Sequence, residues 1–231
     1  MTTIASALQA VRERIARSAD AVGRSPADIR LLAVSKTQTI EAIRAAIHAG
    51  QQDFGENYVQ EAIEKIRALP DLGLQWHFIG PLQSNKTRQI AESFDWVHSV
   101  DRAIIAERLS QARAPELAPL QVCVQVNISG EATKHGVAAA QLEALAGHIQ
   151  ILPRLKLRGL MAIPQQVGDI AQQRAQFRQL KYLFDQLNTQ GFALDTLSMG
   201  MSHDLEAAIA EGATLVRVGT AIFGARISKE Q

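Results

Sequence analysis

The sequence predicts an α/β fold, a single (β/α)8 barrel of the TIM type with an extra helix at its N-terminus. Three observations predict it. Short runs of branched apolar residues alternate with segments of helical periodicity along the whole chain. The alternation yields about eight strands. The length of 231 residues fits eight βα units as one closed barrel, and no linker, low-complexity tract or fixed-spacing repeat divides it. Residues 1–231 are therefore expected to form one domain.

The first helix is predicted over Ile4 to Val22, where Leu8, Val11, Ile15 and Ala19 recur at steps of three or four and Gly23 follows as a stop. The apolar run Ile29 to Val34 reads as a buried strand. A helix near Ile40 to Ala49 ends at Gly50, followed by a short strand near Asp53 and Phe54 and a helix from about Tyr58 to Ala68. Strands at Trp76 to Ile79 and Trp96 to Ser99 alternate with helices near Asn85 to Glu92 and Arg102 to Ala112. Pro115 and Pro119 punctuate the next connection, and Leu120 to Ile128 is the longest strand candidate. A polar loop through Gly130 and Gly136 leads to a helix near Ala139 to Gln150. The last strands are predicted at Leu155 to Met161, Thr196 to Ser198 and Leu215 to Val218, separated by helices near Ile170 to Gln190 and Ser202 to Ala210.

A composition of 47% apolar and 20% charged residues is that of an ordered globular protein. A net charge of +1 provides no global attraction to nucleic acid or to an anionic membrane surface, so an anionic ligand must be met locally. The N-terminus lacks the continuous apolar stretch of a signal peptide and no run is of membrane-spanning length, so the expected compartment is the cytoplasm. Cys123, the sole cysteine, lies between Val122 and Val124 and reads as a buried, inert strand residue. The six histidines share no metal-ligand spacing, which argues against a metal site. No GxSxG, Walker or GxGxxG motif is present.

In such a barrel the functional groups gather at the C-terminal ends of the strands, and phosphate often binds near the last two. The predicted strand ends carry Lys36, Glu56 with Asn57, Gln83 with Asn85, Asn127 and Met161. The last two end in Ser198-Met199-Gly200-Met201-Ser202 and Arg217-Val218-Gly219-Thr220, which combine glycines with hydroxyls ahead of helical segments. They read either as a phosphate pocket or as tight turns alone. Lys36 follows a dry strand, so its amine is either a desolvated nucleophile toward an aldehyde or a solvated strand-end lysine. Arg217, between Val216 and Val218, is expected to point into the barrel, where its partner is a carboxylate such as Glu56 or Asp204, or a ligand heteroatom. His77 is read as a hydrogen-bonded core histidine in preference to a ligand contact.

Six motifs then stand out in order: LLAVSK at 31–36, FGENYVQE at 54–61, WHFIGPLQSNK at 76–86, RGLMAIP at 158–164, LSMGMSHDLEAAI at 197–209 and RVGTAIFGAR at 217–226. Together they closely resemble the pyridoxal phosphate homeostasis protein family, from the first helix to about Arg226. The resemblance implies a barrel like the N-terminal domain of alanine racemase, with pyridoxal 5'-phosphate as a covalent imine on Lys36. It also implies that Ser202, Gly219 and Thr220 hold the phosphate, that Arg217 faces the pyridine nitrogen, and that Asn57 lies near the phenolic oxygen. His203 departs from the pattern, since an acidic residue is frequent at that place.

The implied role is cofactor carriage and vitamin B6 and amino-acid homeostasis without robust catalytic turnover, so the chain is not expected to be an enzyme. An arginine at the pyridine nitrogen keeps that nitrogen unprotonated and weakens the ring as an electron sink. The alternative is a racemase or other amino-acid enzyme of the alanine racemase fold type. Such enzymes use a second acid/base tyrosine from another domain and a partner subunit, and Tyr58 and Tyr182 here fall in predicted helices. Pyridoxal-phosphate-dependent apoenzymes are the possible protein partners, and a monomer is expected. Lys134, in the polar loop, is read as a solvated lysine.

Overall fold

The computed structural model describes residues 3–70, 72–131 and 135–224. Among them, eight parallel strands close a barrel in sequence order, with β8 pairing back onto β1. The strands are β1 (Arg30–Val34), β2 (Asp53–Glu56), β3 (Gln75–Phe78), β4 (Trp96–Val100), β5 (Leu120–Gln125), β6 (Leu155–Met161), β7 (Thr196–Ser198) and β8 (Leu215–Val218). The helices are α1 (Ile4–Asp20), α2 (Ile40–His48), α3 (Val59–Ala68), α4 (Thr87–Ser93), α5 (Ala103–Ala112), α6 (Leu142–Gln150), α7 (Ile170–Thr189), α8 (Leu205–Ala210) and α9 (Thr220–Phe223). The expected (β/α)8 barrel with an added N-terminal helix is thus the fold observed.

Strand alternation decides what faces the helices and what fills the barrel. Leu31 and Ala33, Phe54, Trp76 and Phe78, Val97, Val122 and Val124, Leu197, Val216 and Val218 join the apolar layer under the helices. Phe54 packs on Trp76 with ring centroids 5.6 Å apart, and Phe78 meets Phe94 edge-on at 5.3 Å. The alternate residues point inward: Leu32 beneath Gly55, His77 stacked on Trp96, and Trp96 clustered with Cys123 and Met161. Cys123 is fully buried and burial pushes its thiol up to about 12, which makes it the inert residue expected.

Local chemistry sets the element ends. α1 starts at a capping box in which the Thr3 hydroxyl accepts from Ser6 N–H and the Ser6 hydroxyl accepts from Thr3 N–H. Asp169 accepts from Gln172 N–H at 2.8 Å to begin α7. Several element ends differ from expectation, and α6 begins at Leu142 after a 3-10 turn over Ala139–Gln141. β5 stops at Gln125: Val126 N–H still donates to Met161 O of β6, but the chain then pairs with the returning loop, where Val137 donates to Gln125 and accepts from Asn127. α8 begins at Leu205 rather than Ser202, since the Asp204 carboxylate accepts from Met201 N–H at 2.5 Å and holds 201–204 as a turn. α4 begins at Thr87, after a 3-10 turn over Ser84–Lys86.

Candidate cofactor site at the C-terminal mouth of the barrel

Lys36, Asn57, Ser202, Arg217, Gly219 and Thr220 all lie on or just beyond β1, β2, β7 and β8, four strands contiguous around the barrel. Register brings them to one rim. Val34 pairs with Gly55, Ala33 with Val218, and Ser198 with Leu215. A Cβ on Gly219 would lie 3.1 Å from the Val34 carbonyl, so this glycine permits the close approach of the β8 end to the strand that carries Lys36.

Lys36 is half-buried and shares the inward parity of Leu32 and Val34. The turn after it is strained, because Thr37, a β-branched residue, has φ 64°. Its N–H donates to Glu61 at 2.5 Å. Glu61 is in turn paired with Lys65, whose ammonium donates to Ser35 O and to Glu56, each at 2.7 Å, while the Ser35 hydroxyl donates to Glu56 at 2.6 Å. Lys65 and Glu56 are buried in the layer outside the barrel. Burial pushes the Glu56 carboxyl up, and Lys65 opposes it. This outer network braces the lysine turn from behind.

Asn57 follows β2 with the inward parity of Gly55, and its Oδ1 is buried without a hydrogen-bond partner. Gly80 lies so close behind it that a Cβ there would meet the Asn57 carbonyl at 2.3 Å. On the opposite rim, the Ser202 carbonyl accepts from Arg14 of α1 at 2.7 Å, and the same guanidinium pairs with Glu206. Thr220 is exposed, with Gly219 before it capping α9, and the Gly219 carbonyl accepts from Ile222 and Phe223 N–H, each at 2.9 Å.

Arg217 points into the barrel as expected, but neither carboxylate named for it is its bonding partner. Its guanidinium donates to Ser198 O at 2.6 Å, Ser198 Oγ at 2.8 Å and Ala162 O at 2.9 Å. Glu56 is turned outward to Lys65, and Asp204 is held by Met201 N–H. These bonds occupy three of the five guanidinium N–H groups. Burial lowers its pKa to about 10, so it stays charged at neutral pH, a buried cation with no carboxylate bonded to it.

The chain matches the family described as "Alanine racemase, N-terminal domain" over residues 6–227. It is 59% identical to the pyridoxal phosphate homeostasis protein of Pseudomonas aeruginosa over 226 residues, covering 98% of this chain and 97% of that one. It is 55% identical to that of Escherichia coli K12 over 229 residues, covering 98% of each. The chain belongs to the pyridoxal phosphate homeostasis protein family. Among solved structures it is similar to PipY of Synechococcus elongatus with pyridoxal phosphate bound, at 40% identity and TM-score 0.82, covering 96% of this chain and 100% of that one. Alanine racemase from Corynebacterium glutamicum, 13% identical at TM-score 0.69 over 97% of this chain and 63% of its own, shares the fold.

In this member of the pyridoxal phosphate homeostasis protein family, Tyr58 is the cap residue before α3 rather than part of it, and Tyr182 lies on α7; both are exposed. His203 is exposed with Nε2 3.4 Å from Asp204, and Lys134 lies outside the described residues. His77 is the fully buried, hydrogen-bonded histidine expected. Sequence reasoning missed His98 and the Glu61–Lys65 pair, and named Ser198 only as part of the glycine-and-hydroxyl run after β7. For His98 a signal existed: like His77 it is flanked by strand neighbours that pack outward, which assigns it to the barrel interior.

Proposed function

We propose that this protein binds pyridoxal 5'-phosphate as a reversible imine on Lys36 and carries or buffers the cofactor, serving vitamin B6 and amino-acid homeostasis without robust turnover. The observation that carries the reading is Arg217: a buried cation without a bonded carboxylate, set on the same rim as Lys36, fits the unprotonated nitrogen of a pyridine ring. The orphaned Asn57 Oδ1 fits a ring substituent, with the amide turned to suit it. The relatives' names, and the bound pyridoxal phosphate of PipY, support the same ligand.

When bound, the cofactor supplies an aldehyde that condenses reversibly with an amine, and a phosphate that anchors it. The chain's own residues have separate tasks. Lys36 holds the aldehyde, and the Glu61–Lys65–Glu56 network keeps its turn in place. Ser202, Gly219 and Thr220 receive the phosphate with hydroxyls and first-turn N–H groups. Arg217 would hold the ring at its nitrogen and, as a permanent donor, would disfavour protonation there, leaving the group a weaker electron sink for carbanion chemistry. Transfer to pyridoxal-phosphate-dependent apoenzymes, a monomeric state and a cytoplasmic location belong to the same proposal; sedimentation of the purified protein checks the second. No helix among the described residues is long and apolar enough to cross a membrane.

The test compares the chain with Lys36→Ala in the presence of pyridoxal phosphate, then adds a broad panel of amino acids. Carriage predicts a visible imine band in the unsubstituted protein alone, and no new product with any amino acid. Steady product formation with one of them would replace carriage by an amino-acid enzyme. A protein that binds no pyridoxal phosphate would end both readings.

A further inference from the structure

Inside the barrel, side chains from five strands form one unbroken hydrogen-bonded chain. Asp53 Oδ1 lies 3.1 Å from His77 Nε2, His77 Nδ1 is 2.9 Å from His98 Nε2, and His98 Nδ1 is 2.8 Å from Ser198 Oγ, which Arg217 reaches at 2.8 Å. Barrel interiors of this type are usually filled by branched apolar side chains. Here His77, His98, Ser198 and Arg217 are all buried, and Asp53 stands at the opposite end of the barrel, 3.5 Å from Arg30.

The two ends determine every proton between them. Arg217 is a donor only, so Ser198 Oγ accepts from it and turns its own proton to His98 Nδ1. His98, neutral, then carries its proton on Nε2 and donates to His77 Nδ1. His77 in turn donates from Nε2 to the Asp53 carboxylate, an acceptor only. The reverse order fails, because it sets the His77 Nε2 lone pair against that carboxylate with no proton between them. Burial, together with His77, Arg217 and Arg30, holds His98 well below the ordinary histidine range; burial also lowers His77 against the pull of Asp53. Both rings are therefore neutral, and the contact between His77 and Asp53 is a hydrogen bond rather than an ion pair.

We propose that His77 and His98 are positioning residues: they lock the Ser198 hydroxyl with its lone pair toward Arg217, and thereby fix the guanidinium that meets the cofactor ring. This rests on the reading of the mouth as a pyridoxal phosphate site. Without the relay the hydroxyl is free to turn its proton toward the guanidinium, which then loses an acceptor in the barrel interior.

Two measurements test it. Long-range nitrogen–proton correlation spectra of 15N-labelled protein, with and without pyridoxal phosphate, are expected to show both rings protonated on Nε2 and bare on Nδ1. An Nδ1–H tautomer or an imidazolium on either ring at neutral pH overturns the wiring. His98→Leu is then compared with His98→Asn, whose amide oxygen can stand in for Nδ1. The leucine variant is expected to shift the visible band of the bound cofactor and weaken binding about tenfold, and the asparagine variant to restore both. Equal bands and affinities in all three proteins overturn the positioning role. If His98→Leu does not fold, Ser198→Ala against Ser198→Thr makes the same comparison. An unsubstituted chain that takes up no pyridoxal phosphate refutes the functional reading instead, while the ring spectra of the cofactor-free protein still decide the wiring.

Discussion

Loss of Lys65 should cost stability although the residue lies outside the mouth of the barrel. Among the described residues its ammonium is the one cation bonded to the buried Glu56, and Glu56 already has one oxygen without a partner. Removing one member of a buried pair strands the other charge, so Lys65→Met is expected to lose about 3 kcal/mol in urea unfolding. Glu56→Gln, which keeps an acceptor for the Ser35 hydroxyl and removes the charge, should lose less. The reverse ranking would show that Glu56 is neutral and unpaired in the folded protein. Neither residue could be ranked this way from sequence, where Glu56 appeared only as a strand-end carboxylate and a possible partner of Arg217. Which face of β2 it takes depends on the register of a four-residue strand, and one residue of slip reverses it.

At the scale of elements, two contacts carry testable weight. Gly159 of β6 lies against β7 so closely that a Cβ would sit 1.7 Å from the Thr196 carbonyl. Gly159→Ala must push the strands apart and is expected to cost about 3 kcal/mol, again by urea unfolding; a loss below about 0.5 kcal/mol would show that the barrel wall yields there. The extra helix α1 touches the loop after β7, proposed to hold the phosphate, through Arg14, which bonds the Ser202 carbonyl. Arg14 is partly exposed, so Arg14→Ala should leave stability nearly unchanged. It should nevertheless weaken pyridoxal phosphate binding several-fold in a spectroscopic titration, and an unchanged affinity would reduce α1 to a packing element. The elements themselves were largely legible, because each strand is a compact apolar run and each helix keeps its period, as Leu8, Val11, Ile15 and Ala19 do. Their ends were less so. The early stop of β5 depends on Val137, which returns from the loop that follows, and the late start of α8 on the turn in which Asp204 accepts from Met201 N–H.

Across the whole molecule the candidate site was legible where a residue sits at a strand end, and illegible where its partner comes from another strand. Lys36, Asn57, Ser202, Arg217, Gly219 and Thr220 follow from the barrel rule and the motifs, whereas the Asp53-to-Arg217 chain needs five strands in register. That chain also predicts how the protein meets acid. His77 and His98 are held below the ordinary value of 6.5 when folded, so the unfolded chain binds more protons as pH falls past that value. Their stabilisation is complete above it and is lost as pH falls toward the folded values. The urea midpoint should therefore drop between about pH 7.5 and pH 5.5, and His98→Asn should flatten that slope; an unchanged slope would mean that these rings do not govern it.

The proposed seat of pyridoxal phosphate on Lys36, at the mouth of this barrel, can be tested chemically. Borohydride reduction of the loaded protein followed by peptide mass mapping tests it most directly. One reduced adduct is expected, on the peptide containing Lys36, at one equivalent per chain and absent from Lys36→Ala. An adduct spread over surface lysines, or one that persists at equal yield in Lys36→Ala, would contradict it.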